Sequence, residues 1–319
     1  MPQLLILNRV SAGVLDVAYY EAGPADGVPT ILLHGFPYDA HAFDEVAASL
    51  AGAGHRCIVP FLRGYGPTRF LSSDTPRSGE QAALGADLLA LMDGLRIQEA
   101  ILGGYDWGGR AACIVAALWP ERVVGLVSAG MAYNIQDITA AAKPGMPDQE
   151  ARDWYQYYFH TARGRRGLDE KRGEISRLLW KTWSPSWSFD EDTFQRTAVS
   201  FDNPDFVDVV IHSYRHRYGV IEGDPAYAEI EARLARQPDI SVPSIALLGA
   251  DDGVDPPLPE DEDARKFIGF YDRRVLPGVG HNVPQEAPIS FADAIRELRE
   301  RDEQHFGLRC DCSTDAPIP

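Results

Sequence analysis

The period of the hydrophobic positions changes repeatedly along the chain, and each change predicts an element. Alternating runs from Leu4 to Val10 and from Val14 to Glu21, parted by Ser11-Ala12-Gly13, predict a β-hairpin. Beyond a turn at Pro24 to Val28, the run Thr30-Ile31-Leu32-Leu33 stops abruptly at His34-Gly35-Phe36-Pro37, as expected of a buried strand closed by a tight loop. Helical spacing at Phe43, Val46, Ala47 and Leu50 precedes a second buried run, Cys57-Ile58-Val59, which ends in the loop from Arg63 to Pro67. A helix carrying Leu84, Leu88, Leu91 and Met92 leads to a third, Ala100-Ile101-Leu102. A helix from about Gly108 to Leu118, stopped at Pro120, and a strand from Val123 to Ser128 follow. Buried strands alternating with amphipathic helices imply a parallel α/β sheet.

The alternation then breaks. From about Ala132 to Gln237 aromatic residues and helix formers dominate, with Trp154, Tyr155, Tyr157, Tyr158, Trp180, Trp183 and Trp187, and no clear buried strand. Strand signals return at Ile245 to Gly249 and at Arg273 to Leu276, and a final helix covers about Pro288 to Arg299. The expected architecture is a mostly parallel central sheet flanked by helices, with a helical cap inserted after strand 6. The core takes residues 1–131 and 241–306, the cap 132–240, and a flexible C-terminal tail 307–319.

Composition narrows the function. The 319 residues, 45% hydrophobic and 24% charged, suffice for one large core or two modest ones, which excludes a disordered or collagen-like chain. A formal charge of −17 disfavours nucleic acid or an anionic membrane as partner and leaves a small, neutral molecule as the expected substrate. No basic segment precedes the N-terminal apolar run, and no stretch stays apolar for the roughly 20 residues of a membrane span, so the expected location is the cytoplasm. Cys57 and Cys113 read as core, Cys310 and Cys312 as an incidental pair in the tail.

Chemistry is concentrated at strand ends. In Gly103-Gly104-Tyr105-Asp106-Trp107-Gly108-Gly109, small residues stand two before and two after Asp106, between a buried strand and a helix. A nucleophile elbow requires that spacing, because its turn admits only small flanking side chains and pushes the central one outward. The plain alternative is a glycine-rich turn with a capping Asp. Three further loops weigh against it: His34-Gly35-Phe36-Pro37, Gly249-Ala250-Asp251-Asp252 and Gly278-Val279-Gly280-His281 each follow a predicted strand, in the order nucleophile, acid, histidine.

With these residues the chain resembles the α/β-hydrolase superfamily from about residue 5 to 305. Its Asp106-Trp107 pair resembles the epoxide hydrolase and haloalkane dehalogenase branch, in which Asp replaces the usual Ser; Tyr105 stands where many members carry His. A carboxylate attacking a carbonyl would form an anhydride, whereas one attacking a saturated carbon opens an epoxide or expels a halide and leaves an ordinary ester. On this reading water activated by His281 hydrolyses the ester on Asp106, Asp252 orients the imidazole, and the backbone N–H groups of Phe36 and Trp107 form the oxyanion hole. Asp251 is a neighbouring candidate for the acid. The resemblance further implies that Tyr155 and Tyr214 donate to the epoxide oxygen, and that no cofactor or metal is needed. His34, Gly35, Pro37 and Trp154 complete the candidates as substrate-binding positions.

The expected function is therefore opening of an apolar or aromatic epoxide to a vicinal diol. A haloalkane or haloacid dehalogenase is the alternative with the same nucleophile, although Phe36 stands where haloalkane dehalogenases commonly carry Asn. A ligand-binding protein on a hydrolase scaffold is the alternative of another class, and a homo-oligomer is left open. Arg110, one turn past Asp106, reads either as a contact for a carboxylate substrate or as half of a buried salt bridge. His212 and His216 have the i, i+4 spacing of metal ligands but no evident third ligand.

Overall fold

The computed structural model describes residues 6–311, and side chains from residue 7 to residue 304. The chain opens with the antiparallel pair β1 (Ile6–Ala12) and β2 (Leu15–Ala22), then β3 (Val28–Leu33), α1 (Asp44–Gly52) and β4 (His55–Pro60). There follow a two-residue strand β5 (Arg69–Phe70), α2 (Gln81–Gly94), β6 (Ala100–Tyr105), α3 (Asp106–Leu118) and β7 (Val123–Ala129). Every α-helix or strand between β7 and β8 (Ser244–Gly249) is a helix: α4 (Pro147–Arg152), α5 (Trp154–His160), α6 (Ala162–Trp183), α7 (Glu191–Ala198), α8 (Phe206–Arg217) and α9 (Ala228–Leu234). The chain closes with β9 (Tyr271–Leu276), α10 (Val283–Glu286) and α11 (Pro288–Asp311).

The sheet runs β1-β2-β4-β3-β6-β7-β8-β9, parallel from β4 onward, with β5 beside β2. Its central strands are apolar on both faces because helices cover both. The α2–α3 pair packs on one side and α1–α11 on the other, and Ile31, Leu32, Ile101, Leu102, Leu126, Val127 and Ile245 are fully buried between them. In this order β3 lies between β4 and β6, with Leu33 in register with Gly104. The loop after β3 is thereby set beside the loop after β6, though about 70 residues part them in sequence.

Two expectations change. The short strand β5, with too few residues to show a period, makes β7 the seventh strand rather than the sixth before the helical insert. The last helix runs to Asp311, into the span read as a tail from residue 307, because residues 297–303 continue it with ion pairs one turn apart, Arg299 to Glu303 and Arg301 to Glu297. The Cys310 side chain and Cys312 lie outside the described residues, whereas Cys57 and Cys113 are buried free thiols. No described helix is long and apolar enough to cross a membrane.

Candidate active site

β6 passes into α3 with no intervening loop. Asp106, the first residue of the helix, has a left-handed φ of 49°, a conformation that costs an L residue on the order of 1–3 kcal/mol unless its surroundings hold it. They do. The Phe36 N–H donates to Asp106 Oδ1 at 2.7 Å, and Asn134 Nδ2 donates to the Asp106 carbonyl at 2.7 Å. A Cβ on Gly104 would come within 2.5 Å of the Gly108 carbonyl carbon, and one on Gly108 within 2.0 Å of the Leu33 oxygen. Backbone meets backbone at this turn, so both flanking positions admit only glycine. Trp107 is the second residue of α3, where the backbone N–H has no acceptor within the helix and the helix dipole favours negative charge.

The loops after β8 and β9 bring the other two members. His281 Nδ1 and Asp252 Oδ2 are 2.8 Å apart, and both residues are buried. Asp252 Oδ1 accepts from the N–H groups of Val254 and Asp255, each at 2.9 Å, which fixes the carboxylate in its loop. The histidine backbone N–H donates to Ser184 Oγ at 3.0 Å. His281 Nε2 faces Asp106 Oδ2 at 3.9 Å. Burial works to lower the histidine pKa, but the charge and hydrogen bond of Asp252, with Asp106 and Asp255 adding to them, hold it up at about 9. Asp251 is turned away and accepts from Ser186 Oγ.

Over Asp106 the insert packs aromatic rings around Phe36. Its ring lies 5.4 Å from that of Tyr214, 6.2 Å from Tyr155, 6.1 Å from Phe159 and 5.7 Å from Trp107. Tyr155 on α5 and Tyr214 on α8 are buried with ring centroids 5.4 Å apart. The Tyr155 hydroxyl accepts from Gln156 Nε2 at 3.1 Å, while the Tyr214 hydroxyl is buried without a hydrogen-bond partner. Burial raises the Tyr214 pKa, and Asp106 adds to that; Arg217, Arg110 and the neighbouring Tyr155 hydroxyl act against it. Trp183 at the end of α6 stands 5.1 Å from both His281 and Tyr155.

The remaining candidates fall differently. His34 holds the loop itself: Nδ1 lies 3.0 Å from the Gly35 carbonyl, Nε2 accepts from Leu62 N–H at 3.0 Å, and burial lowers its pKa to about 4. Pro37 accepts from the Trp180 indole at 2.8 Å, tying the loop to α6, and Gly35 lies against the Asp106 side chain. Trp154 is 39% exposed and packs on Tyr155 and Tyr158 at the surface of the insert. Tyr105 fills the space behind the elbow, fully buried against Tyr38 and Phe43. His216 comes close to Glu80 and Glu231, but Glu231 accepts from Ala82 N–H and Gln81 Nε2, and Glu80 from Ser78 Oγ and Asp224 N–H. A Cβ on Gly223 would stand 2.3 Å from Glu80 Oε2, so backbone closes on the group.

Several residues at the site escaped the reading of the sequence. Asn134 and Trp183 carry no motif, and only the fold brings them to Asp106 and His281. Arg217 does carry a signal: it stands three residues after Tyr214 on α8 and so shares its face, with its guanidinium 4.8 Å from the tyrosine ring.

Comparison with known proteins follows the geometry. Residues 28–288 match the family model for the alpha/beta hydrolase fold. A solved structure from Klebsiella pneumoniae subsp. pneumoniae MGH 78578, named as a candidate epoxide hydrolase, is 47% identical with a TM-score of 0.90, covering 92% of this chain and 96% of that one. Epoxide hydrolase 3 of Siraitia grosvenorii is 29% identical over 127 residues, 40% of this chain and 40% of that protein's own length. Epoxide hydrolase A of Mycobacterium tuberculosis (strain ATCC 25618 / H37Rv) is 26% identical over 308 residues, 87% of this chain and 92% of the relative. A parallel sheet with a helical insert, an aspartate on the β6–α3 elbow and a family match over most of the length lead to one conclusion: the chain belongs to the α/β-hydrolase fold family.

Proposed function

We propose that the chain is an epoxide hydrolase that opens an apolar or aromatic epoxide to a vicinal diol, with the helical insert as its cap. The observation that carries this reading is Asp106 facing the His281–Asp252 pair, with two buried tyrosines whose rings pack on Phe36 at the same site. An aspartate on the elbow suits a saturated carbon, and a tyrosine hydroxyl suits an alkoxide leaving group. The names of the relatives point the same way.

Asp106 attacks an epoxide carbon, the C–O bond breaks with its electron pair going to the ring oxygen, and Tyr155 or Tyr214 supplies the proton. The product of this half is a hydroxyalkyl ester. Esterification removes the Asp106 charge that helps keep His281 protonated, so the imidazole pKa falls and the ring becomes a base for water. Water attacks the ester carbonyl while the N–H groups of Phe36 and Trp107 hold its oxygen. The intermediate collapses with its O–H proton passing to the departing alkoxide, the diol leaves, and the proton taken by His281 returns to the tyrosine. Facing a charged Asp106 again, His281 regains from solvent the proton it gave up on esterification.

Single turnover of styrene oxide in heavy-oxygen water tests the mechanism. Label is expected in Asp106, and His281→Gln is expected to accumulate an ester seen as a mass shift equal to one substrate. A freshly purified Asp106→Asn protein with full activity overturns the mechanism. Halide release from haloalkanes without epoxide opening favours the dehalogenase reading instead.

A further inference from the structure

The helix that carries Asp106 also buries Arg110 one turn later, on the same face. Arg110 is only 4% exposed and its Nε has no hydrogen-bond partner. Its electrostatic neighbours are Arg217, Asp106, Tyr214 and Tyr155, the groups of the site itself. Arg217, partly buried, donates from Nη1 to Gln156 Oε1 at 2.9 Å but leaves Nε and Nη2 without partners. Among the described residues neither guanidinium has a carboxylate within 4.0 Å.

Another buried arginine in the same protein shows what a structural role looks like. Arg63, 1% exposed, makes a bidentate pair with Asp87 at 2.6 and 2.7 Å, donates to the Ser78 carbonyl at 2.6 Å, and its pKa is raised. Arg110 has none of this, and Arg217 stands between the two: its guanidinium lies 4.8 Å from the Tyr214 ring, and although burial lowers its pKa, Tyr214, Tyr155 and Asp106 raise it on balance. Burial first, and then the like charge of Arg217, lower the Arg110 pKa to about 10. The like charge of Arg217 acts against that of Arg110, and each unpaired guanidinium donor carries a desolvation cost. The Tyr214 hydroxyl and the Trp107 indole nitrogen are likewise buried without partners. All of these groups can donate, and the guanidiniums and the indole can only donate, so the complement is an acceptor-rich anion.

We infer that Arg110 and Arg217 form a carboxylate subsite beside Asp106, so that the substrate is an epoxy acid with an apolar or aromatic body. This inference rests on the epoxide hydrolase reading and specifies its substrate class. The attacked carbon must sit about 3–3.5 Å from an Asp106 oxygen, and a glycidate, with its carboxylate on the epoxide carbon itself, is the simplest substrate of this class. The carboxylate itself is a spectator, and the net reaction is epoxy acid plus water giving a dihydroxy acid. The subsite also revises the expectation of a neutral substrate drawn from the −17 charge, since the positive charge that matters is local.

The test compares 3-phenylglycidate with its methyl ester, which differ at the proposed contact. Wild-type kcat/KM is expected to favour the acid by about 10–100-fold, the value of a charge-assisted hydrogen bond. Arg110→Gln, and independently Arg217→Gln, are expected to reduce that acid-to-ester ratio by a similar factor, with Arg110→Lys recovering part of it. The inference is overturned if the wild type prefers the ester, or if Arg110→Gln lowers both substrates equally, which would make the arginines aids to the tyrosines instead. If neither compound is opened, the epoxide reading fails. Calorimetry with 3-phenylpropanoate against 3-phenylpropanamide then decides the subsite alone: tighter binding of the carboxylate supports it and equal binding overturns it.

Discussion

Gly35→Ala places one methyl group against the proposed nucleophile. Gly35 does not have a left-handed φ, so the backbone accepts alanine and only space decides the outcome. The new Cβ would lie 2.4 Å from Asp106 Cβ and 2.6 Å from Oδ1, whereas carbon atoms rest at about 3.5 Å. Asp106 must therefore withdraw by about 1 Å. It cannot do so along its present line without lengthening the 2.7 Å bond from Phe36 N–H, and the Gly108 contact with Leu33 stops the elbow from yielding behind it. A displacement of 1 Å costs on the order of 10²-fold in rate, and overpacking costs about 1–3 kcal/mol, or roughly 1.5–4.5 °C in Tm for a chain of this size. Stopped-flow fluorescence of the nearby tryptophans reports alkylation by styrene oxide, and mass spectrometry reports the ester. Gly52→Ala is the control, since a Cβ there meets nothing within 4 Å. A folded Gly35→Ala protein alkylated within twofold of the wild-type rate, with an unchanged Tm, would refute the close approach on which the site geometry depends.

Three further outcomes follow from the same geometry. Asp252→Asn removes the charge that holds His281 at Nδ1, and hydrolysis should slow by roughly 10²–10⁴-fold, leaving a burst of ester that mass spectrometry detects; equal slowing of both half-reactions would contradict this assignment. Replacing Tyr155 and Tyr214 together by Phe should abolish epoxide opening while a reactive alkyl halide still alkylates Asp106, so loss of both reactions would argue against proton donation. His281 titrates at about 9 in the fold against 6.5 when free, so its stabilisation is fully present below about pH 6.5 and disappears as pH rises through 9. The difference in unfolding free energy between wild type and His281→Gln should shrink over that range by up to about 3 kcal/mol; urea melts that give a constant difference would count against the raised pKa.

How much of this was legible in the chain depended on whether each signal was local. Gly104 reports a turn whose atoms lie within five residues of one another, and Gly108, although the Leu33 oxygen is what closes on it, stands at the fixed spacing the elbow requires, so the spacing revealed the elbow. Continuous apolar runs at residues 30–33, 100–102 and 245–248 report burial on both faces of a sheet. Asn134, Trp183 and Arg217 reach the site through contacts of long sequence separation, and no spacing announces such contacts except the helical step from Tyr214 to Arg217. His34 shows the opposite limit. Its place in the loop was evident, but only its bonds to Gly35 and Leu62 reveal that the ring is occupied by backbone.

Sequence alone determined the class of fold and the identity of the carboxylate on the elbow, because hydrophobic period and glycine spacing are properties of neighbouring residues. Only tertiary structure decided which polar groups would be paired. A buried arginine reads the same in sequence whether an acid meets it, as Asp87 meets Arg63, or none does, as at Arg110. The difference arises where Trp107 of α3, Tyr155 of α5 and Tyr214 of α8 pack together, and that packing sets the desolvation and charge from which the chemistry of the site follows.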